Sequence, residues 1–572
     1  MTALSSMLTV SAVASTAAGI ADITAWSSAA RAHSSRPAAV GPKVCVLPPT
    51  MQILMNATCD SLAPLATTTV DLAGMANEME HAQLLIHLPP SSPPMIIASV
   101  RMTSISPASA SIRQVGYVNT STTSRYVGSG GGWRPDPLLE LDPAGTLVEP
   151  GVATPLWLSF KLAGTVSGTV DLTFTSNGQQ PEKLSVSVDL TTWHGLALPS
   201  PLELHKDFGE IWSWNEHDIQ VLYNDAFTND TAARFRRMNT YALLPPDNLY
   251  KRTPYDASTY DSLRKDGAYL LNIGDLGTDA RGCPSAYTPE QLQQKLDLIT
   301  PAIEALGPSS PDFRPYVYGY DEQPESCEAN IRSLYGAIKA KWPHVATAAV
   351  LNWKDGLPAD LPLDVWIVQY GVWEASKAAA WQAIKGKQLF GYHCIEPSGP
   401  LYLNTFIERP RTHGRLLYWW AADRNVDGWL YYATDVWRPR PGSKHAPMRR
   451  IRRSPKTDFD PSNYIWAPRT DIFANGDGQF VYPGVDAADN ATPAPVASAR
   501  LELQRDAVED AHLLRLARKT LGANATSAFI RQLVRSPTDH TDDPALLEKT
   551  RRALAAKLSE ELGRQTAVVM VQ

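Results

Sequence analysis

Tyr316-Val317-Tyr318-Gly319-Tyr320 is a short aromatic run that ends in two acids, Asp321 and Glu322, with Pro324 and a helical stretch behind them. A run of this length and composition reads as a buried strand, so the two carboxyl groups fall at its carboxyl end. In a barrel enzyme that is where the reacting groups gather. An Asp-Glu pair can also mark a helix N-terminus, where carboxylates cap free N–H groups and favour the helix dipole. Neighbouring residues of an extended segment point to opposite sides, so Asp321 and Glu322 are unsuited to a symmetric dyad. They suit two different tasks.

One carboxyl group can protonate a leaving oxygen while the other serves a second substrate group. Substrate-assisted glycosidases divide the labour in this way, with the sugar's own 2-acetamido oxygen attacking the anomeric carbon. A proton donor needs a raised pKa, which a cleft of Trp and Tyr supplies by desolvation. A conventional retaining glycosidase instead needs a second carboxylate about 5 Å away on another strand, and Glu396 and Asp435 are the sequence candidates. A carbohydrate-binding protein without turnover is the alternative outside enzymes.

Further sugar-contacting candidates are Tyr320, Tyr370, Trp373, His393, Trp420, Tyr432 and Trp437, which lie in or just after the predicted barrel segments. The competing reading is packing in the barrel core, or, for His393, a satisfied buried histidine. Trp419 and Trp420 are adjacent, so only one of them is expected to face a cleft. No G-x-S-x-G elbow or H-E-x-x-H pair is present and the histidines are scattered along the chain, so serine-hydrolase and metal chemistry are disfavoured and neither metal nor cofactor is expected.

The elements that must hold these residues are legible from periodicity. Val170, Leu172 and Phe174 alternate with polar neighbours, as do Leu184, Val186, Val188 and Leu190. That is the period of half-buried strands, and residues 44–198 are expected to form a β-sandwich domain. Leu198-Pro199-Ser200-Pro201 marks a boundary. Beyond it, helical stretches centred on Ala232, Leu292, Leu334 and Ala379 alternate with apolar runs. The runs are Tyr269 to Ile273, Tyr316 to Tyr320, Thr347 to Leu351, Val365 to Tyr370, Gln388 to Cys394 and Gly428 to Ala433. This texture predicts a catalytic (β/α)8 TIM-like barrel over 199–500, with the acid pair at about the fourth strand. An open doubly wound sheet is the alternative, but no Gly-rich phosphate loop comes after any strand. Residues 501–572 read as a C-terminal helical segment, with Leu554, Leu558 and Leu562 at helical spacing, and 1–43 as a leader or disordered tail.

A chain of 572 residues exceeds one hydrophobic core, in keeping with that multidomain plan. Its net charge of -6 creates no strong field, which disfavours nucleic acid and leaves a glycan or glycolipid open as partner. Sixteen Trp residues, most of them after Tyr316, suit both a packed core and a sugar cleft. No transmembrane helix is expected. Arg438 to Lys456 is basic and proline-rich, read as a solvated loop insertion in preference to a localisation signal. Cys45 with Cys59, and Cys283 with Cys327, can pair in an oxidising compartment, leaving Cys394 free. With five N-x-S/T triplets, at Asn56, Asn119, Asn229, Asn490 and Asn524, this makes a secreted or lumenal location the expectation.

Taken in order, several pieces of the chain resemble glycoside hydrolase family 123. Gly319-Tyr320-Asp321-Glu322 is similar to that family's strand-end motif, and Arg415-Leu416-Leu417-Tyr418-Trp419-Trp420, then Asp427-Gly428-Trp429-Leu430-Tyr431-Tyr432-Ala433 and Trp437, to its last barrel segments. Gly476-Asp477-Gly478 with Tyr482-Pro483-Gly484 resembles the family's next signature. Ser498, Arg500-Leu501-Glu502, Arg505-Asp506 and Glu509-Asp510 resemble the helix beyond that signature. Ala76-Asn77-Glu78, Gly116-Tyr117-Val118, Trp133-Arg134-Pro135-Asp136-Pro137-Leu138 and Leu156-Trp157 resemble its sandwich. The resemblance covers roughly 70–520 and implies an exo-acting β-N-acetylgalactosaminidase with a substrate-assisted, retaining mechanism. It implies that Asp321 assists the acetamido group and that Glu322 is acid/base. Gln323, where a proline often comes after the acids, and the basic stretch after Trp437 depart from the pattern.

Overall fold

The computed structural model describes residues 41–120, 132–176, 179–214, 229–247, 249–250, 254–277, 283, 286–307, 310–373, 375–436, 475–482, 484 and 495–571. The expected leader and the basic stretch at 438–456 lie outside them.

The N-terminal part is built from β1 (Lys43–Leu47), β2 (Thr69–Ala76), β3 (Met79–His87), β4 (Met95–Thr103), β5 (Ala110–Asn119), β6 (Trp133–Glu140), β7 (Thr146–Val148), β8 (Thr154–Lys161), β9 (Val166–Thr175) and β10 (Glu182–Ala197). They make two five-stranded sheets, ordered β1-β3-β8-β5-β6 and β2-β10-β9-β4-β7. Inward residues of both sheets, among them Leu84, Ile86, Leu156 and Leu158 from one and Val170, Leu172, Val186 and Val188 from the other, share one apolar core. Pairing is antiparallel except between β2 and β10, which run parallel. The Cys45–Cys59 disulfide ties β1 to the segment after it.

Ser200 caps the helix Pro201–Asp207, as the Ser-Pro boundary suggests. Then come β11 (Gly209–Ser213), β12 (Pro246–Asp247), β13 (Leu270–Asp275), β14 (Arg314–Gly319), β15 (Ala346–Val350), β16 (Val365–Gln369), β17 (Gln388–His393) and β18 (Gly428–Tyr431). All pairings in this sheet are parallel, each strand beside its neighbour in sequence, and β18 returns to β11. The circle is nearly closed; the two-residue β12 and β13 are not joined by hydrogen bonds. A doubly wound sheet is thereby excluded, because its strand order reverses at a switch point. Helices Asn229–Tyr241, Ala257–Lys265, Pro289–Leu306, Glu328–Lys341, Ala375–Gln382 and Thr412–Asp423 connect the strands, but none joins β15 to β16. That connection is turns, so one expected β/α repeat lacks its helix.

The interior of this ring is filled by Ile211, Tyr316, Tyr318, Ala346, Ala348, Val365, Ile367, Phe390 and Tyr392. Large meets small across the ladder: Tyr316 pairs with Ala346 and Tyr318 with Ala348, so the two phenols have room to cross the interior. Gly319 is required for a different reason. A Cβ there would lie 2.7 Å from Gly277 N and 2.8 Å from its Cα, backbone atoms that cannot swing aside. Gly319→Ala is expected to destabilise the protein by about 1–3 kcal/mol and to lower activity with it, measurable by urea unfolding. An unchanged midpoint would count against this packing.

Several stretches that look like family signatures prove to be interlocks between the two parts. Asp136 on β6 accepts from Arg500 Nε and Nη2 at 3.1 and 3.0 Å and from the Tyr482 hydroxyl at 2.5 Å. Arg500 Nη1 donates onward to the carbonyls of Thr405 and Gly476. The helix Ala499–Leu521 is buried along most of its length, and the helix Pro544–Val571 buries Leu554 and Leu558 at the expected spacing.

Candidate active site

Asp321 and Glu322 come directly after β14, on its carboxyl end, and both are exposed to solvent. The backbone there leaves the strand abruptly, with φ of 58° at Tyr320 and 53° at Glu322. Side-chain-bearing residues seldom adopt these angles, and such strain concentrates at functional turns. It is held by packing on one side of the turn and by the Glu322 N–H, which donates to Val350 O at 2.9 Å, on the other.

Each acid is oriented by a different tyrosine. The Tyr318 hydroxyl donates to Asp321 Oδ1 at 2.9 Å, and the Tyr250 hydroxyl reaches Oδ2 at 3.5 Å. Tyr392, from β17, donates to Glu322 Oε1. Asn352 Nδ2 donates to the Tyr392 oxygen at 2.7 Å, while Asn352 Oδ1 accepts the Gln369 N–H at 2.9 Å. Tyr250 and Tyr318 meet edge to face at 6.1 Å. Asp275, at the end of β13, adds a third carboxylate, and Cys394, beyond β17, a half-buried thiol. Aromatic rings thus frame the acids from several strand ends.

Solvent reaches Asp321, yet protein crowds it on enough sides to strip much of its hydration. That loss pushes its carboxyl up to about 6, with Glu322 and Asp275 adding negative charge and the Tyr318 and Tyr250 hydroxyls opposing the rise. A carboxyl raised in the folded state makes a contribution that is present below its unfolded pKa and lost as pH rises through 6. Asp321→Asn, which mimics the neutral form, is therefore expected to melt above wild type at pH 8, the gap closing by about pH 4. A constant gap in thermal melts across that range would be the contrary result.

The other candidates fall elsewhere. Tyr320 is buried, its hydroxyl donating to Asn330 Oδ1 at 2.7 Å, because the positive φ turns it out of the ring interior toward the helix Glu328–Lys341. Tyr370 is buried against Trp420 and Trp429, with its hydroxyl donating to Leu403 O. His393 has no exposed surface: Nδ1 accepts from Trp429 Nε1 at 3.0 Å, so Nε2 carries the proton and donates to Thr405 Oγ1 at 2.9 Å. Burial lowers its pKa to about 3, and it is a neutral core histidine. Trp420 and Trp419 are both buried, the latter donating to Asp510, so neither faces a cleft. Trp373 is half-buried at 5.6 Å from Trp420, and Tyr432 is half-buried with its hydroxyl donating to Asp477. Trp437 lies outside the described residues. Tyr320, Tyr370, His393 and Trp420 are thus corrected from sugar contacts to packing groups.

Of the two alternative nucleophiles, Asp435 is buried beside Gln479 and Glu396 turns back to accept from the Ser398 N–H. The site residues that sequence reasoning missed are Tyr318, Tyr392, Asn352, Tyr250 and Asp275. Strand alternation offered a signal for the second: Phe390 and Tyr392 share the inward face, and His393 is on the other.

Among the described residues, His413, His540 and Asp542 form a group able to surround a metal ion. His413 Nδ1 accepts the Asn404 N–H at 3.3 Å, so its Nε2 carries the proton that goes to Asp542 at 2.9 Å. That ring has no lone pair turned toward the group, which speaks for a structural role. The Cys283–Cys327 disulfide ties the segment after β13 to the one after the acid pair.

Residues 316–517 match the glycoside hydrolase 123 catalytic domain. No curated protein matches the chain. Among solved structures, a family 123 glycoside hydrolase from Clostridium perfringens, described in terms of glycolipid glycan hydrolysis, superposes with a TM-score of 0.66 at 13% identity. The match covers 93% of this chain and 100% of that one, and at this identity it speaks for the fold. A family 39 glycoside hydrolase from Bacteroides cellulosilyticus reaches a TM-score of only 0.31 at 11% identity, over 71% of this chain and 79% of that one, too low to bear on it. The domain match covers the acid pair and β15 to β18, with Tyr392 and Asn352, while Tyr250 and Asp275 lie ahead of it. Residues 316–517 thus carry a glycoside hydrolase 123 catalytic domain, and the chain is a glycosidase.

Proposed function

We propose that this chain removes a terminal β-linked N-acetylhexosamine, GalNAc in preference to GlcNAc, by substrate-assisted retaining hydrolysis. The observation that carries the reading is the asymmetry of the acid pair: two adjacent carboxyl groups, each oriented by its own tyrosine from a different strand. In this reading the 2-acetamido oxygen attacks the anomeric carbon as its bond to the leaving oxygen breaks. Glu322 gives that oxygen a proton. Ionised Asp321 holds the acetamido N–H as positive charge develops on the ring that forms. Glu322 then takes a proton from water, which opens that ring with net retention. The preference for GalNAc rests on family resemblance, and a glycolipid substrate on the subject of the Clostridium perfringens structure.

We read the two N-terminal sheets as a β-sandwich, and the parallel ring as a (β/α)8 barrel with one helix replaced by turns. The two disulfides support a secreted or lumenal location. No described helix is long and apolar enough to cross a membrane.

The test is a panel of chromogenic β-GalNAc, β-GlcNAc and β-galactoside substrates. Cleavage of acetamido sugars alone supports participation by the substrate. Comparable cleavage of the galactoside would point to a carboxylate nucleophile, for which Asp275 is a further candidate because its charge acts on Asp321. The pH profile offers a second check. Since Asp321 must be ionised, kcat/KM is expected to fall below about pH 6. Tyr318→Phe removes a hydrogen bond that favours the ionised form, so this acid limb should move to higher pH by about 0.5–1 unit. A limb that stays in place would remove Asp321 from the rate expression.

A further inference from the structure

We infer that Asn352 is a positioning residue that sets the direction of the hydrogen-bond chain through Tyr392 to Glu322, so that the working proton of Glu322 resides on Oε2. The inference rests on reading Glu322 as the acid/base group.

The chain has only one polarity available to it. The Gln369 N–H can only donate, so the atom of Asn352 that faces it at 2.9 Å is the carbonyl Oδ1. The amide is thereby oriented with Nδ2, also a pure donor, 2.7 Å from the Tyr392 oxygen. Tyr392 must accept there, and its single proton points the other way, to Glu322 Oε1. An oxygen already receiving a proton is disfavoured as a donor, so a protonated Glu322 carries its hydrogen on Oε2. Tyr392 is 4% exposed, which shields this arrangement from exchange with solvent. The parts come from beyond β15, the end of β16 and β17, three elements whose relative positions the parallel ladder fixes. The titratable groups that act on Glu322 or share its turn are Asp321 beside it, Tyr250 across the site, Tyr392 on β17 and Cys394 just beyond it.

The consequence is a rate effect with a pH signature. A hydrogen bond donated to a carboxylate favours its ionised form, so withdrawing it lets the proton persist to higher pH. Tyr392→Phe withdraws the donor outright. Asn352→Asp, nearly isosteric, supplies an acceptor in place of Nδ2 and draws the phenol proton toward itself. Both variants should move the alkaline limb of kcat/KM upward by about 0.5 unit or more. On an N-acetylgalactosaminide with an alkyl leaving group, Tyr392→Phe should lose roughly 10-fold or more. With a dinitrophenyl leaving group, which departs without a proton, the loss should be much smaller. Because Asn352 acts through Tyr392, adding Asn352→Ala to Tyr392→Phe should change the rate by less than about 2-fold.

Unmoved alkaline limbs in both single variants, or full multiplication of losses in the double variant, would overturn the inference. Should Tyr392→Phe fail to fold, the limb of Asn352→Asp decides alone. Glu322→Gln is run alongside on both leaving groups. If it turns over the alkyl glycoside at the wild-type rate, the acid/base reading itself falls. If it loses that activity and regains it on the dinitrophenyl glycoside while the limbs of the other variants stay in place, only the role of Asn352 falls.

Discussion

Glu322→Gln and Asp321→Asn are each expected to lose about 10³-fold in kcat/KM on a β-N-acetylgalactosaminide with a poor leaving group, and to part company on a good one. The first substitution removes a proton donor. Its effect on bond cleavage disappears when the leaving oxygen is stable as an anion, so a dinitrophenyl glycoside should restore most of the first chemical step. A small anion such as azide should then restore turnover, because it needs no general base to attack. The second substitution removes a negative charge opposite the acetamido nitrogen as that group becomes cationic. That demand is independent of the leaving group, and neither dinitrophenol nor azide should help. The separation has a geometric origin: Tyr318 and Tyr392 hold the two carboxyl groups from different strands, so the groups do not trade places. Equal rescue of both variants, or of neither, would contradict the unequal division of labour.

Arg551→Met should destabilise the folded chain by about 3–5 kcal/mol, read from denaturant unfolding at neutral pH. Arg551 is almost wholly buried. Its Nε donates to Asp510 Oδ1 at 2.7 Å, Nη1 to Glu80 Oε1 at 2.6 Å, and Nη2 to Glu78 Oε1. Glu78 lies in the turn between β2 and β3 and Glu80 on β3, Asp510 lies on the helix Ala499–Leu521, and Arg415, on the helix Thr412–Asp423, donates to both oxygens of Asp510 at 2.8 Å. One guanidinium therefore joins the N-terminal sheets to the helices around the barrel. Burial raises the carboxyls of Glu78 and Glu80, with Arg551 opposing that rise. Burial also pushes Asp510 up, but Arg415 and Arg551 outweigh it and hold that group low. Methionine keeps the volume and removes the counter-charge, leaving acids buried with too few partners. Protonation of the glutamates relieves the loss, so the gap from wild type should be widest above neutrality and shrink toward pH 5. A gap below about 1 kcal/mol, or one indifferent to pH, would show that the cluster is neutral without Arg551.

Much of this architecture is legible in residue order. The runs at Tyr316, Thr347, Val365, Gln388 and Gly428 are strands within a residue or two, because a strand buried on both faces leaves a continuous apolar run. The first two strands of the ring leave no such run: Gly209–Ser213 contains a buried Glu210 bonded to Trp212 and Tyr418, and Pro246–Asp247 is too short to show a period. Both disulfide pairings suggested by the cysteines form.

The chemical identity of the site, two unlike carboxyl groups at a strand end among aromatics, was written in seven consecutive residues, since local order alone places them. Their partners were not. Whether Tyr316, Tyr318 or Tyr320 faces the acids depends on a backbone torsion at Tyr320 that turns one phenol away. The tyrosine that serves Glu322 comes from a strand 70 residues on, and only closing the ring brings them together. Composition can announce that aromatic rings are plentiful; which of them wall a cavity and which merely fill the core is set by strand parity and by the surface each helix presses against.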